Sequence, residues 1–201
     1  METAFRPFRH GFHFVNRFDA PLGAPLLRAA GGPATWGLCG GMVRCARAAF
    51  RQGEALTTRR DPPPPGSPLY RDLLRRQIAS LGPPLFPGVR RFARWTRCRD
   101  AELARRTRAQ LGQARGLLRR GRLVPLGLVY TRRLTRLWEN HQVLAYALAA
   151  SGPPGLRLYD PNEPRRDDVT LAPAAAGGGP LLEKRLGGKP TRAVRGAFVM
   201  T

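Results

Sequence analysis

Lysine is nearly absent from this chain. Of its 35 basic residues only Lys184 and Lys189 are lysines, and the others are arginines. Acidic residues are scarce as well, 13 in all, which leaves a formal charge of +22. Cysteine is confined to Cys39, Cys45 and Cys98, an odd and small set that excludes a disulfide scaffold. No run of about 18 apolar residues occurs, so the sequence offers no membrane-spanning helix and no integral membrane association is expected. Coiled-coil and collagen periods are missing. Gly31–Gly32 and Gly177–Gly179 match neither the phosphate-binding loop nor the dinucleotide fingerprint. His10 and His13 have no cysteine or acidic cluster beside them, too few donors for a metal site of three or four ligands. Neither a metal nor a cofactor is expected.

What is present fits one domain. The chain has 201 residues, of which 42% are hydrophobic, enough to bury a core. With 23 glycines and 20 prolines, many turns and short elements are expected. The arginines run from Arg6 to Arg195 rather than gathering in a tail, as drift toward arginine codons would produce; Arg90, Arg91, Arg94, Arg97 and Arg99 form a local concentration. The functional reading of the same charge is a weak anionic partner on an arginine-rich surface. The first residues lack the apolar stretch of a secretory signal, which together with the cysteine count points to a reduced, cytoplasmic setting.

Along the chain, residues 5–18 are aromatic, and Phe12 and Phe14 at period two predict a short strand. Pro/Gly-rich loops are expected at 19–35, 61–68, 82–88 and 172–180. From Cys39, the positions Met42, Val43, Ala46, Ala49 and Phe50 predict a buried helix. Gly40–Gly41 in its first turn requires a close approach by something. A helix is expected at about 69–80, and a longer one over 99–120. The long helix carries Leu103, Thr107, Leu111, Ala114 and Leu118 as its apolar stripe, Asp100 and Glu102 in its first turn, and Gly121 as its cap. Strands follow at 122–130, 141–149, 156–159, 168–171, 181–186 and 192–200. Pro125 places its strand at an edge, a bulge or a strand start. Helices before strands predict an α+β fold, a helical N-terminal half packed on an antiparallel sheet from the C-terminal half.

The chemistry concentrates at three points. Cys39 stands at a helix start, in Trp-Gly-Leu-Cys-Gly-Gly-Met, where unpaired amides and the helix dipole favour a thiolate. The two glycines are read as leaving room above the sulfur for a substrate backbone. His141 opens one strand and Asp160 closes the next. If these strands form a hairpin, the two residues meet at its open end. A carboxylate there holds the imidazole in one tautomer, and the imidazole deprotonates Cys39. Asn162 is the alternative third member. Cys45 and Cys98 read as small packed residues.

WGLCGGM, NHQVLAYAL and LRLYDPNEP, in that order, resemble bacterial papain-like cysteine-peptidase-fold proteins, and most of all the peptidase domains that clip double-glycine leaders. The resemblance is carried by about 30 residues and implies a single papain-like domain over 1–201, with a core of about 10–200. It implies a cysteine-dependent hydrolase of peptide or other amide bonds that works through a thioester. Cys39 is then the nucleophile, His141 the base and Asp160 its orienting partner. The superfamily usually carries a Gln about six residues before the cysteine. Here the region reads Gly32-Pro33-Ala34, and Asn16 with the Cys39 backbone amide is expected to form the oxyanion hole instead. The alternative is an inactive papain-like domain that serves as a basic binding or structural module.

Overall fold

The computed structural model describes residues 3–19, 35–82, 84–149, 155–174 and 181–200. Most of the 19–35 loop, Gly31–Gly32, residues 151–154 and Gly177–Gly179 lie outside them. Helices fill the first half: α1 (Pro7–His10), α2 (Cys39–Gln52), α3 (Pro68–Ser80), α4 (Pro87–Arg97) and α5 (Asp100–Arg119). A two-residue pair, β1 (Phe18–Asp19) and β2 (Thr35–Trp36), lies before α2. The second half supplies β3 (Val124–Val129), a 3-10 helix (Leu134–Glu139), β4 (His141–Leu148), β5 (Leu156–Tyr159), β6 (Val169–Pro173), β7 (Leu182–Leu186), β8 (Lys189–Val194) and β9 (Gly196–Val199). The fold is α+β, with helices followed by one antiparallel seven-stranded sheet in the order β8-β7-β6-β5-β4-β3-β9.

The β4-β3-β9 part of the sheet is buried. Along β4, Val143 and Ala145 join the core beneath Leu111, Ala114 and Leu118 of α5. Leu144 and Tyr146 face the other way, onto Val43 and Ala46 of α2. This explains why the strand is apolar throughout rather than alternating. β8 and β9 lie at opposite ends of the strand order, yet only Arg195 separates them. Consecutive Cα atoms are about 3.8 Å apart, so the sheet curls until its two margins approach. The Arg192 guanidinium of β8 accordingly sits 3.7 Å from the Tyr130 ring, just past β3.

Several expectations are corrected. Phe12 and Phe14 do not lie in a strand, and only Phe18 of this segment enters one, the two-residue β1. Pro7 opens the short helix α1, and the Phe12 N–H donates to the Tyr159 hydroxyl (3.3 Å) instead of to a ladder. Phe12 and Phe14 nevertheless pack together, ring centres 5.0 Å apart. Of the arginine concentration at 90–99, Arg90, Arg91, Arg94 and Arg97 lie on α4, a helix whose Phe92, Trp95 and Thr96 are buried, and Arg99 caps α5. Residues 192–200 are not one strand, because the chain bends at Arg195. Ala172 and Pro173, expected in the 172–180 loop, belong to β6, and residues 175–180 lie outside the described ones. Of the three placements expected for Pro125, the one found is near a strand start, in an interior strand. Its missing N–H falls at the end of the ladder, where its carbonyl accepts from the Met200 N–H (2.9 Å). Among the described residues, no helix is long and apolar enough to cross a membrane.

Candidate functional site

α2 carries the cysteine. Cys39 is its first residue, preceded by Leu38, whose side chain offers no cap. At this position the Cys39 N–H has no helical carbonyl to bind. Gly40 and Gly41 are explained by crowding. A Cβ at Gly41 would meet the Leu73 carbonyl oxygen of α3 at 2.1 Å, and one at Gly40 would meet Ser80 Oγ at 2.3 Å and Gln142 Nε2 at 2.6 Å. The space is thus taken by α3 and β4, which corrects the reading of the pair as room for a substrate. α3 also binds the helix tip, since the Gly41 N–H donates to Gln77 Oε1 (3.1 Å).

β4 and β5 pair antiparallel, and their open end brings His141 to Asp160. The His141 Nε2 to Asp160 Oδ1 distance is 2.6 Å. That leaves Nδ1 for the Cys39 sulfur, with which the imidazole shares a hydrogen bond. All three side chains are buried: Cys39 is 9% exposed, His141 5% and Asp160 0%. Burial pushes the Cys39 thiol up. The charge and hydrogen bond of His141, with the Gln142 and Gly40 amides, outweigh it and hold the thiol below its ordinary value. Burial pushes His141 down, but Asp160 and Cys39 raise it well above the usual imidazole range. Burial also pushes the Asp160 carboxyl up, and His141 and Lys184 hold it below the usual carboxylate range. The three shifts share one direction, toward a thiolate, an imidazolium and a carboxylate.

Asn162 is not the partner of the imidazole. Its N–H donates to Asp160 Oδ1 (2.9 Å), an Asx-type turn that fixes the carboxylate. Its side-chain Oδ1 accepts from Asn16 Nδ2 (3.1 Å). Asn16 is held from two further sides, with its Oδ1 accepting the Leu38 N–H (2.6 Å) and its own N–H donating to the Pro161 carbonyl (2.9 Å). The Asn16 carboxamide therefore lies between the cysteine helix and the turn after Asp160.

Cys39 and His141 line a cleft of about 660 Å³. One wall is apolar: Leu74 and Ile78 of α3, Leu81 just after it, Val89 and Phe92 of α4, and Trp138 of the 3-10 helix. Trp138 is 61% exposed at its rim. Asn16, Asn162, Arg17 and Arg192 line the same cleft as its polar part.

Sequence reasoning did not find Lys184 or Glu163. Lys184 Nζ donates to Asp160 Oδ2 and to Glu163 Oε1, each at 2.9 Å. The available signal was the rarity of lysine itself. Gln77, Gln142 and Ser80, which pack the helix tip, carried no local signal. Among the described residues no cluster of His, Cys, Asp or Glu could hold a metal ion. His10 Nδ1 accepts the Arg6 N–H (2.9 Å), and His13 Nε2 lies 3.1 Å from the Phe8 carbonyl oxygen. Comparison with protein-family models, curated proteins and solved structures finds no match to this chain.

Proposed function

We propose that this chain is a papain-like cysteine hydrolase that cleaves peptide or other amide bonds through a thioester. The observation that carries the reading is the contact of Cys39 with His141, and of His141 with Asp160, at the wall of an open cleft. The Cys39 sulfur attacks the substrate carbonyl carbon, and the oxygen takes up negative charge. The Cys39 N–H at the helix tip donates to that oxygen. Asn16 Nδ2 adds a second donor through the hydrogen that Asn162 does not use. His141 gives its proton to the leaving amine as the C–N bond breaks. It then takes a proton from water, which attacks the thioester and releases a carboxylic acid and the restored thiolate beside the imidazolium. Asp160 keeps the imidazole in one orientation throughout. The apolar wall of α3 and α4 suits a large hydrophobic group next to the scissile bond.

The test is the rate of Cys39 alkylation by iodoacetamide against pH, with Cys39→Ala as the blank. The native chain reacts at pH values well below the ordinary thiol pKa of about 8.5. His141→Ala moves the acid limb up to that range and abolishes hydrolysis of a peptide-library substrate. A native limb already at the ordinary value, unmoved by His141→Ala, sinks the reading. The second reading, an inert basic module, draws on the +22 charge and the lack of an upstream Gln. It requires binding to heparin or duplex DNA with a steep salt slope and no peptide turnover.

A further inference from the structure

Lys184 is placed where the thiol chemistry has no evident use for it. It sits on β7, with β6 between it and β5, yet its ammonium reaches past the end of β5 to Asp160. Its side chain is 7% exposed, and the carboxylate it meets is fully buried. We propose that Lys184 is a positioning residue that acts through Asp160, its ammonium locking the carboxylate with Oδ1 turned to His141 and keeping it anionic while the imidazole cycles. The inference rests on the reading of Cys39 and His141 as a reacting pair.

The contacts of Asp160 divide between its two oxygens. Oδ1 receives His141 Nε2 (2.6 Å) and the Asn162 N–H (2.9 Å), while Oδ2 receives Lys184 Nζ (2.9 Å). Donors on both oxygens fix the rotation of the carboxylate. Removing the ammonium strips Oδ2 of a donor in a place closed to solvent. A buried carboxylate so stripped turns away or takes up a proton, and in either case Oδ1 holds the imidazolium less well. Glu163, in the turn after Asp160, holds the other side of the ammonium (2.9 Å) and is itself 28% exposed. The signs then alternate outward from the helix tip: thiolate, imidazolium, carboxylate, ammonium, carboxylate.

Residue choice supports the assignment. In a chain whose cations are almost all arginine, this buried site holds a lysine. A compact ammonium with three donors fits between two carboxylates that approach from different sides. The flat guanidinium fork suits one carboxylate met face-on.

The ionisable groups near Asp160 can be named. His141 lies on β4, Lys184 on β7 and Glu163 in the following turn, with Cys39 beyond the imidazole. Tyr130 and Tyr159 are pushed up by burial and stay neutral across the working range. Arg192 of β8, opposite Lys184 in register, stacks on Tyr130. Asp160 is therefore the group whose protonation Lys184 controls as pH falls.

The test is the pH profile of Cys39 alkylation by iodoacetamide in the full chain, read alongside thermal unfolding. Lys184→Met is expected to move the acid limb up by about one pH unit, a tenfold loss of rate at pH 6 with less than threefold loss at pH 9. Lys189→Met removes the same charge from an exposed position on β8 and is expected to leave the limb in place. A Lys184→Met protein with lowered melting temperature and an unmoved limb makes the lysine structural only, and overturns the proposal. Equal shifts from Lys189→Met and Lys184→Met make the effect a general field, and also overturn it. If Lys184→Met does not fold, Lys184→Gln keeps a donor near Oδ2 without the charge and is judged by the same limb. Failure of the underlying reading is separately visible, because His141→Ala then leaves the native profile unchanged.

Discussion

α2 and α5 pack on opposite faces of the same sheet and obey opposite rules at their N-termini. α5 starts with Asp100 and Glu102 in its first turn and has Arg119 in its last, as the helix dipole favours. Its acidic residues are occupied: Asp100 pairs with Arg195 (3.0 Å) and with Arg132, and Glu102 with Arg106 (2.5 Å). α2 has no acidic residue in its first turn and two glycines behind its first residue. An anionic cap there would compete with a thiolate for the same amides and repel it. Local rules are broken at one end of α2 while its apolar stripe remains regular, and that is the end where the proposed reading puts the chemistry.

Alanine at glycine positions separates the two helices most sharply. Gly41→Ala would press a methyl onto the Leu73 backbone and is expected to cost about 3 kcal/mol or more, read as a large fall in melting temperature. Gly40→Ala meets only the ends of Ser80 and Gln142, which can shift, and is expected to cost less. An effect of next size concerns acid stability. The carboxyl of Asp160 is held below its unfolded value, so its contribution is present above about pH 4 and is lost as pH falls below that. Asp160→Asn is therefore expected to be less stable than the native chain at pH 7 and to show a flatter decline between pH 4 and pH 2 in thermal unfolding. On α5 the same class of change runs the other way. Gly112 and Gly116 have open space around them, and each alanine there should add about 1 kcal/mol. Smallest is Asp100→Asn, which removes exposed ion pairs and should cost under about 1 kcal/mol, shrinking further in high salt. Equal costs at Gly41 and Gly112 would erase the contrast.

Legibility followed the range of the interactions. The α5 stripe is local, and all five residues named from period, Leu103, Thr107, Leu111, Ala114 and Leu118, are buried on it. The run at 141–149 read as a buried strand because both faces of β4 are covered. The meeting of His141 with Asp160 depends only on a hairpin between neighbouring strands, so it too could be argued from order. Lys184 could not, because it reaches Asp160 from two strands further on, through the curl of the sheet. The 5–18 segment misled because Phe12 and Phe14 share a core contact without sharing a strand. α4 was hidden by arginines between its buried aromatics and by the proline and glycine at its start. The glycine pair was rightly seen as a close approach, but what approaches is α3, which no local pattern announces.

The turn of the chain at Arg195 has a consequence for biosynthesis. A ribosome delivers the cysteine helix first, the hairpin much later, and the lysine strand and the strand beside β3 after that. Until then a nascent polypeptide carries a naked sulfur and an unclosed sheet, an invitation to oxidants and to neighbours with exposed strand margins. On the proposed reading, the sulfur meets its imidazole only once the hairpin docks on the cysteine helix. Contacts this remote along the chain make that docking slow, and the interval before it is when a chaperone has most to protect.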